Sequence, residues 1–232
     1  MLGEYKLNEI YNEDSYEAIK KIPDKSVDLI LTDPPYGINA DKGVGGFGNS
    51  PKTAKKYIGN WDNQTPTEEL FKELLRVGKK VIIFGGNYFT NKIPVNGHWI
   101  VWDKVGETKF NNPFSDCELA WTNIEKKIVK KYLNKQQGFI NDGDERNHPT
   151  QKPLRLFTEI IKDYSNENDI VADFFLGSGT TCVAAKELGR QYIGFEIDKE
   201  FCDISKNRLK GINANGQTSI FTDFEENRLF KE

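Results

Sequence analysis

The sequence predicts an α/β protein whose mainly parallel sheet is covered by helices on both faces. Three observations carry that reading. Apolar runs of strand length alternate with helical patterns along most of the 232 residues. Val27 to Thr32 (VDLILT) is a continuous apolar run that stops at Asp33-Pro34-Pro35, as a buried parallel strand would. Another run, Asp169 to Phe175, ends in a glycine-bearing turn that opens a helix.

The remaining elements follow in order. Pro66 to Arg76 reads as a helix, with Thr65 as its cap and Leu70, Leu74 and Leu75 on one face. Lys80 to Phe84 is a buried strand closed by Gly85-Gly86, and His98 to Trp102 is another. Leu154 to Tyr164 repeats Leu156, Phe157, Ile160 and Ile161 at helical spacing. The helix Thr180 to Leu188, the strand Gln191 to Ile197 and a helix from Lys199 to about residue 210 complete the alternation. Asn39 to Asn63, rich in Gly, Asn and Lys, is expected to be a long mobile loop. Gly106 to Asn147 lacks clear periodicity.

Length suits one domain with a modest insertion. No run of eighteen uncharged apolar residues points to a membrane span, and Met1 to Tyr11 is unlike a signal peptide. Cys117, Cys182 and Cys202 show neither a disulfide framework nor metal spacing, which argues for a reducing compartment. His98 and His148 alone cannot complete a typical metal shell. The net charge of −3 does not point to nucleic acid. Charge is concentrated locally instead, where Lys126, Lys127, Lys130, Lys131 and Lys135 crowd one segment. A solvated lysine face and a phosphate-contacting patch both fit that cluster.

Two motifs carry chemistry. In Asp173-Phe174-Phe175-Leu176-Gly177-Ser178-Gly179-Thr180, two glycines permit a tight turn and close approach of the backbone to a ligand. Glu196, with Asp198 two residues on, ends the next strand, where such sheets grip ribose hydroxyls. The dinucleotide fingerprint and the P-loop ending are both incomplete, so nothing favours a pyrophosphate over a nucleoside with an amino-acid tail. Asp33-Pro34-Pro35-Tyr36 leaves the carboxyl end of a strand as a stiff loop that presents a carboxylate and free carbonyls. Such an array accepts both hydrogens of a planar amine, and Tyr36 supplies a ring on which a base can stack. Each motif alone also fits a plain turn.

Together they resemble the DNA adenine-N6 and cytosine-N4 methyltransferases in the beta arrangement, where the catalytic motif precedes the cofactor motif. Asp33-Pro34-Pro35-Tyr36 is similar to the family's catalytic motif, and Asp173 to Thr180 to its cofactor motif. His148-Pro149-Thr150-Gln151-Lys152-Pro153 is similar to its lead into the preceding helix. Trp99 to Lys104 (WIVWDK) and Glu118 to Trp121 (ELAW) are also family-like. The likeness spans about residues 7 to 210.

The resemblance implies a Rossmann-like S-adenosylmethionine-dependent methyltransferase fold, a seven-stranded, mostly parallel sheet with one antiparallel strand, in a single catalytic domain over 1–232. Asp33, Pro34, Pro35 and Tyr36 would be catalytic. The cofactor would be held by Asp14, Asp33, Thr150, Lys152, Asp173, Phe175, Gly177, Ser178, Gly179, Thr180, Glu196 and Asp198. Glu13 stands before Asp14 where the family usually has glycine. Residues 105 to 147 occupy the target-recognition position. Lys42, Lys52, Lys55 and Lys56, with Lys126, Lys127, Lys130 and Lys131, would meet the phosphates of double-stranded DNA. Reaching a paired amine requires flipping the base out, with the loop after Tyr36 closing over it.

Asp at the head of the tetrapeptide favours adenine-N6 over cytosine-N4, where Ser is more frequent. Amine methylation on RNA or protein fits less well, because such relatives carry Asn there and place the cofactor motif first. A non-catalytic DNA-binding relative would show eroded motifs. A cytoplasmic setting in a bacterium or phage-infected host is implied, with a homodimer and a cognate restriction endonuclease left open as partners.

Overall fold

The computed structural model describes residues 1–38, 62–108, 115–126, 128–135 and 151–211. Its strands are β1 (Glu9–Tyr11), β2 (Val27–Thr32), β3 (Gly78–Phe84), β4 (Trp99–Asp103), β5 (Cys117–Thr122), β6 (Val129–Leu133), β7 (Ile170–Asp173) and β8 (Gln191–Phe195). The helices are α1 (Ser15–Ala18), α2 (Glu68–Val77), α3 (Leu154–Tyr164), α4 (Thr180–Glu187) and α5 (Lys199–Leu209). The eight strands form one sheet in the order β1-β8-β7-β2-β3-β5-β4-β6. Only β5 runs against its neighbours, β3 and β4, while every other pair is parallel.

Alternation along the central strands builds two cores. Leu29 and Leu31 of β2, with Ile82 and Phe84 of β3, pack under Leu156, Phe157, Ile160 and Ile161 of α3. Ile30, Val81 and Ile83 point the other way, onto Leu70, Phe71 and Leu74 of α2. Helices on both faces therefore follow from strands that are apolar on both faces. No helix among the described residues is long and apolar enough to cross a membrane.

Eight strands replace the expected seven. Two of them, β5 and β6, come from the stretch without periodicity and join the sheet itself. The edge strand β6 buries Tyr132 while Val129, Lys131 and Leu133 stay exposed, so its sequence reads as part of a lysine cluster. Helix α2 starts later than expected, because Thr67 rather than Thr65 caps it, accepting from the Leu70 N–H. Thr65 instead accepts a hydrogen bond from the Lys92 ammonium.

Candidate functional site

The strands β2 and β7 lie side by side at the centre of the sheet, so their carboxyl ends bring the two sequence motifs together. Thr32, the last residue of β2, donates to Asp173 Oδ1 at 2.7 Å and ties one loop to the other. Open α/β sheets hold ligands at such a point. Here a cavity of about 540 Å³ opens, lined by residues that include Asp14, Tyr16, Asp33, Lys152, Gly177 and Glu196.

The Asp33-to-Tyr36 loop is held from outside. The backbone N–H groups of Tyr36 and Gly37 both donate to Asp62 Oδ1, at 2.7 and 2.9 Å. The Tyr36 ring lies against Gly85, whose φ of +71° and missing Cβ are both required, since a Cβ would stand 2.2 Å from the ring. Tyr88 stacks on the same ring with centroids 4.9 Å apart. The Tyr36 hydroxyl donates to Asp33 Oδ1, and the Lys152 ammonium donates to Asp33 Oδ2. Lys152 also stands 3.4 Å from Glu118 Oε2, while Lys104 holds Glu118 Oε1 at 2.7 Å.

Burial raises the Asp33 pKa, and the Lys152 charge restrains that rise. Burial opposes the Lys152 charge, but the two carboxylates outweigh it and raise its pKa. Burial would also raise Glu118, yet Lys152 and Lys104 prevail and lower it.

The glycine loop is held by its own motif, by Thr32 and by the strand and helix that follow it. Asp173 accepts from Thr32, from Thr181 at 2.6 Å and from the Phe175 N–H at 3.0 Å, and burial lifts its pKa to about 6. Its carboxylate is thus committed to shaping the loop. Gly177 (φ +53°) donates its N–H to Glu196 Oε2 at 2.7 Å, and a Cβ there would meet open space. Gly179 (φ +86°) packs on α5, where a Cβ would come within 2.8 Å of Ser205. Arg208 donates to the Ser178 carbonyl at 2.6 Å. Glu196, with its pKa raised by burial, also accepts from the Asp198 N–H.

Asp14 and Asp198 cap α1 and α5 and line the cavity, as do Phe175, Ser178 and Thr180. Lys152 lines it too, but its ammonium is turned to Asp33 rather than left free. Pro34 is buried and Pro35 faces the cavity.

The expected DNA-contacting lysines fare differently. Lys130 is paired with Asp163 at 2.5 Å and lies over the Tyr132 ring, and Lys131 pairs with Asp103 at 3.1 Å. Lys126 is exposed. Thr150, His148, Lys42, Lys52, Lys55, Lys56 and Lys127, with the proposed closing loop, lie outside the described residues. The sequence reading missed Asp62, Tyr88, Lys104 and Glu118 as site residues. Of these, Lys104 and Glu118 sit in the two family-like stretches, which was the available signal.

A family model described as DNA methylase matches residues 87–207. The Type II methyltransferase M.HpaI of Haemophilus parainfluenzae is 30% identical over 240 residues, covering 88% of this chain and 74% of that protein. Among solved structures, the M1.HpyAVI–SAM complex is 28% identical with a TM-score of 0.57, covering 87% of this chain and 99% of its own. The cytosine-N4-specific PvuII DNA methyltransferase has a TM-score of 0.57 at 17% identity, covering 90% of this chain and 88% of its own, and shares the fold. With both motifs meeting at one cavity, the chain belongs to the N6/N4 DNA methylase family and is a DNA methyltransferase.

Proposed function

We propose that the protein transfers a methyl group from S-adenosylmethionine to the exocyclic N6 amine of adenine in double-stranded DNA, acting on a flipped-out base. The observation that carries this reading is the junction of the two loops. A carboxylate suited to an amine, Asp33, lines the same cavity as a glycine loop backed by Glu196.

The cavity's charge supports the cofactor. Five carboxylates (Asp14, Asp33, Asp173, Glu196, Asp198) and one lysine line it. That lining repels phosphates and suits a ligand carrying a sulfonium, an ammonium and a single carboxylate. Gly177 leaves open space beside the loop, where the methionine part would be held, and Glu196 would take the ribose hydroxyls. When bound, the cofactor supplies an electrophilic methyl group.

The chain's own residues prepare the nucleophile. Asp33 and the Pro34 carbonyl accept the two amine hydrogens and draw the nitrogen toward tetrahedral geometry. With the cofactor bound, the nitrogen so prepared would take the methyl carbon as the carbon–sulfur bond breaks. Its excess proton then passes to Asp33, whose raised pKa suits that task. Tyr36, already stacked with Tyr88, would contribute to an aromatic wall beside the base. The Asp at position 33 supports adenine, and the β5–β6 region supplies target recognition.

The test is to methylate mixed-sequence double-stranded DNA with labelled cofactor, hydrolyse it, and identify the modified nucleoside. N6-methyladenine in the product supports the reading. N4-methylcytosine would overturn the choice of base, and unlabelled DNA would overturn the reading as a whole.

A further inference from the structure

Both oxygens of Asp33 already have donors, Tyr36 on Oδ1 and Lys152 on Oδ2. An incoming amine needs a place on that carboxylate. Glu118, on the antiparallel strand β5, offers the means to make one. Its Oε1 is held by Lys104, but its Oε2 is buried and has no hydrogen-bond partner. The Lys152 ammonium stands 3.4 Å from it. A buried carboxylate oxygen without a well-directed donor is costly, so the Lys152 ammonium, already ion-paired with it, has a second seat ready.

We propose that Glu118 is a positioning residue that takes the Lys152 ammonium from Asp33 when the target amine arrives, freeing Asp33 Oδ2 to accept an amine hydrogen. The motion is small, because Lys152 already sits between the two carboxylates, and its stem is fixed by burial at 7% exposure. Lys152 and Lys104 together hold Glu118 ionised, and the Lys104 ammonium lies over the Trp102 ring at 5.0 Å, which anchors it on β4. No proton moves in this exchange. One donor leaves an oxygen and another replaces it.

The inference rests on the amine-methylation reading, and the test separates the two. Single-turnover transfer from methyl-labelled S-adenosylmethionine to mixed-sequence DNA is measured against pH for the wild type, Glu118→Gln and Glu118→Asp. The groups facing this site are Asp33, Tyr36, Tyr88, Lys104, Lys152 and Asp173. Glu118→Gln removes the second seat, and the rate is expected to fall on the order of 10- to 100-fold. Losing a negative neighbour also lowers the Asp33 pKa, so the acid limb of the rate profile moves to lower pH. Glu118→Asp keeps the charge and returns the limb to its wild-type position. Cofactor affinity stays within several-fold in both variants, which also shows that they fold.

A Glu118→Gln enzyme that transfers at the wild-type rate overturns the proposal while the methylation reading stands. So does a slow one whose acid limb is unmoved, since that is the mark of a structural role. If Glu118→Gln loses cofactor binding, Glu118→Asp decides alone. A wild-type limb with a reduced rate then supports the proposal, and a shifted limb overturns it. A wild type that labels no DNA takes the reading and the proposal down together.

Discussion

The loops after β2 and β7 leave neighbouring strands and meet at one cavity, yet they are built in opposite ways. The Gly177–Gly179 turn is shaped by its own motif and by the strand and helix that follow it, through Asp173, Phe175, Thr181, Glu196, Ser205 and Arg208, with Thr32 reaching Asp173 from the other loop. The Asp33–Tyr36 loop is shaped by residues far along the chain: Asp62, Gly85, Tyr88, Glu118 and Lys152.

The sharpest way to break this contrast is at Asp33. Asp33→Ala should lower transfer by about 10²- to 10⁴-fold, because it removes the amine acceptor. Titration calorimetry should find cofactor affinity within several-fold of the wild type, because the glycine loop does not lean on Asp33.

On the other side, Gly179→Ala forces a Cβ into a φ of +86° and within 2.8 Å of Ser205. It should destabilise the fold by roughly 1–3 kcal/mol. Gly177→Ala meets only open space, so it should cost less stability and more cofactor affinity. Thermal melts with and without cofactor separate the two glycines.

Asp173 gives a pH signature. Its folded pKa of about 6 lies above the unfolded value of 3.8, so the protonated form favours the folded state. This contribution is present below about pH 4 and is lost as pH rises toward 6, a change of roughly 2–3 kcal/mol. His98 works against it, since burial lowers its pKa and acid protonates it on unfolding. Comparison with Asp173→Asn isolates the aspartate: the stability of the wild type relative to that variant should decline between pH 4 and 6. A flat difference contradicts the burial of an acid at the loop's root.

The smallest effect belongs to Lys130, which is paired with Asp163 in a half-exposed bridge. Lys130→Met should cost no more than about 1 kcal/mol of stability. It should leave the salt dependence of DNA binding unchanged, as expected of a lysine committed to the fold.

The same contrast explains what the sequence could reveal. The glycine loop was legible because its parts lie close together, and Glu196 stands one strand away. The central strands were legible because β2 and β3 are apolar on both faces. β1 was not, at three residues, and β6 hid behind the adjacent Lys130 and Lys131. The braces of the catalytic loop were invisible for a physical reason. Nothing local marks Asp62 as the acceptor for backbone groups 25 and 26 residues earlier, and only the fold brings Glu118 to Lys152.

If one loop prepares the amine while the other holds the methyl donor, variants of the two must fail in different ways. The most direct measurement is the single-turnover transfer rate of Asp33→Ala and Glu196→Gln at increasing cofactor concentration. Glu196→Gln should recover to within several-fold of the wild type once cofactor saturates, while Asp33→Ala should stay silent at every concentration. Recovery of Asp33→Ala at saturating cofactor would contradict the division of labour between the two loops.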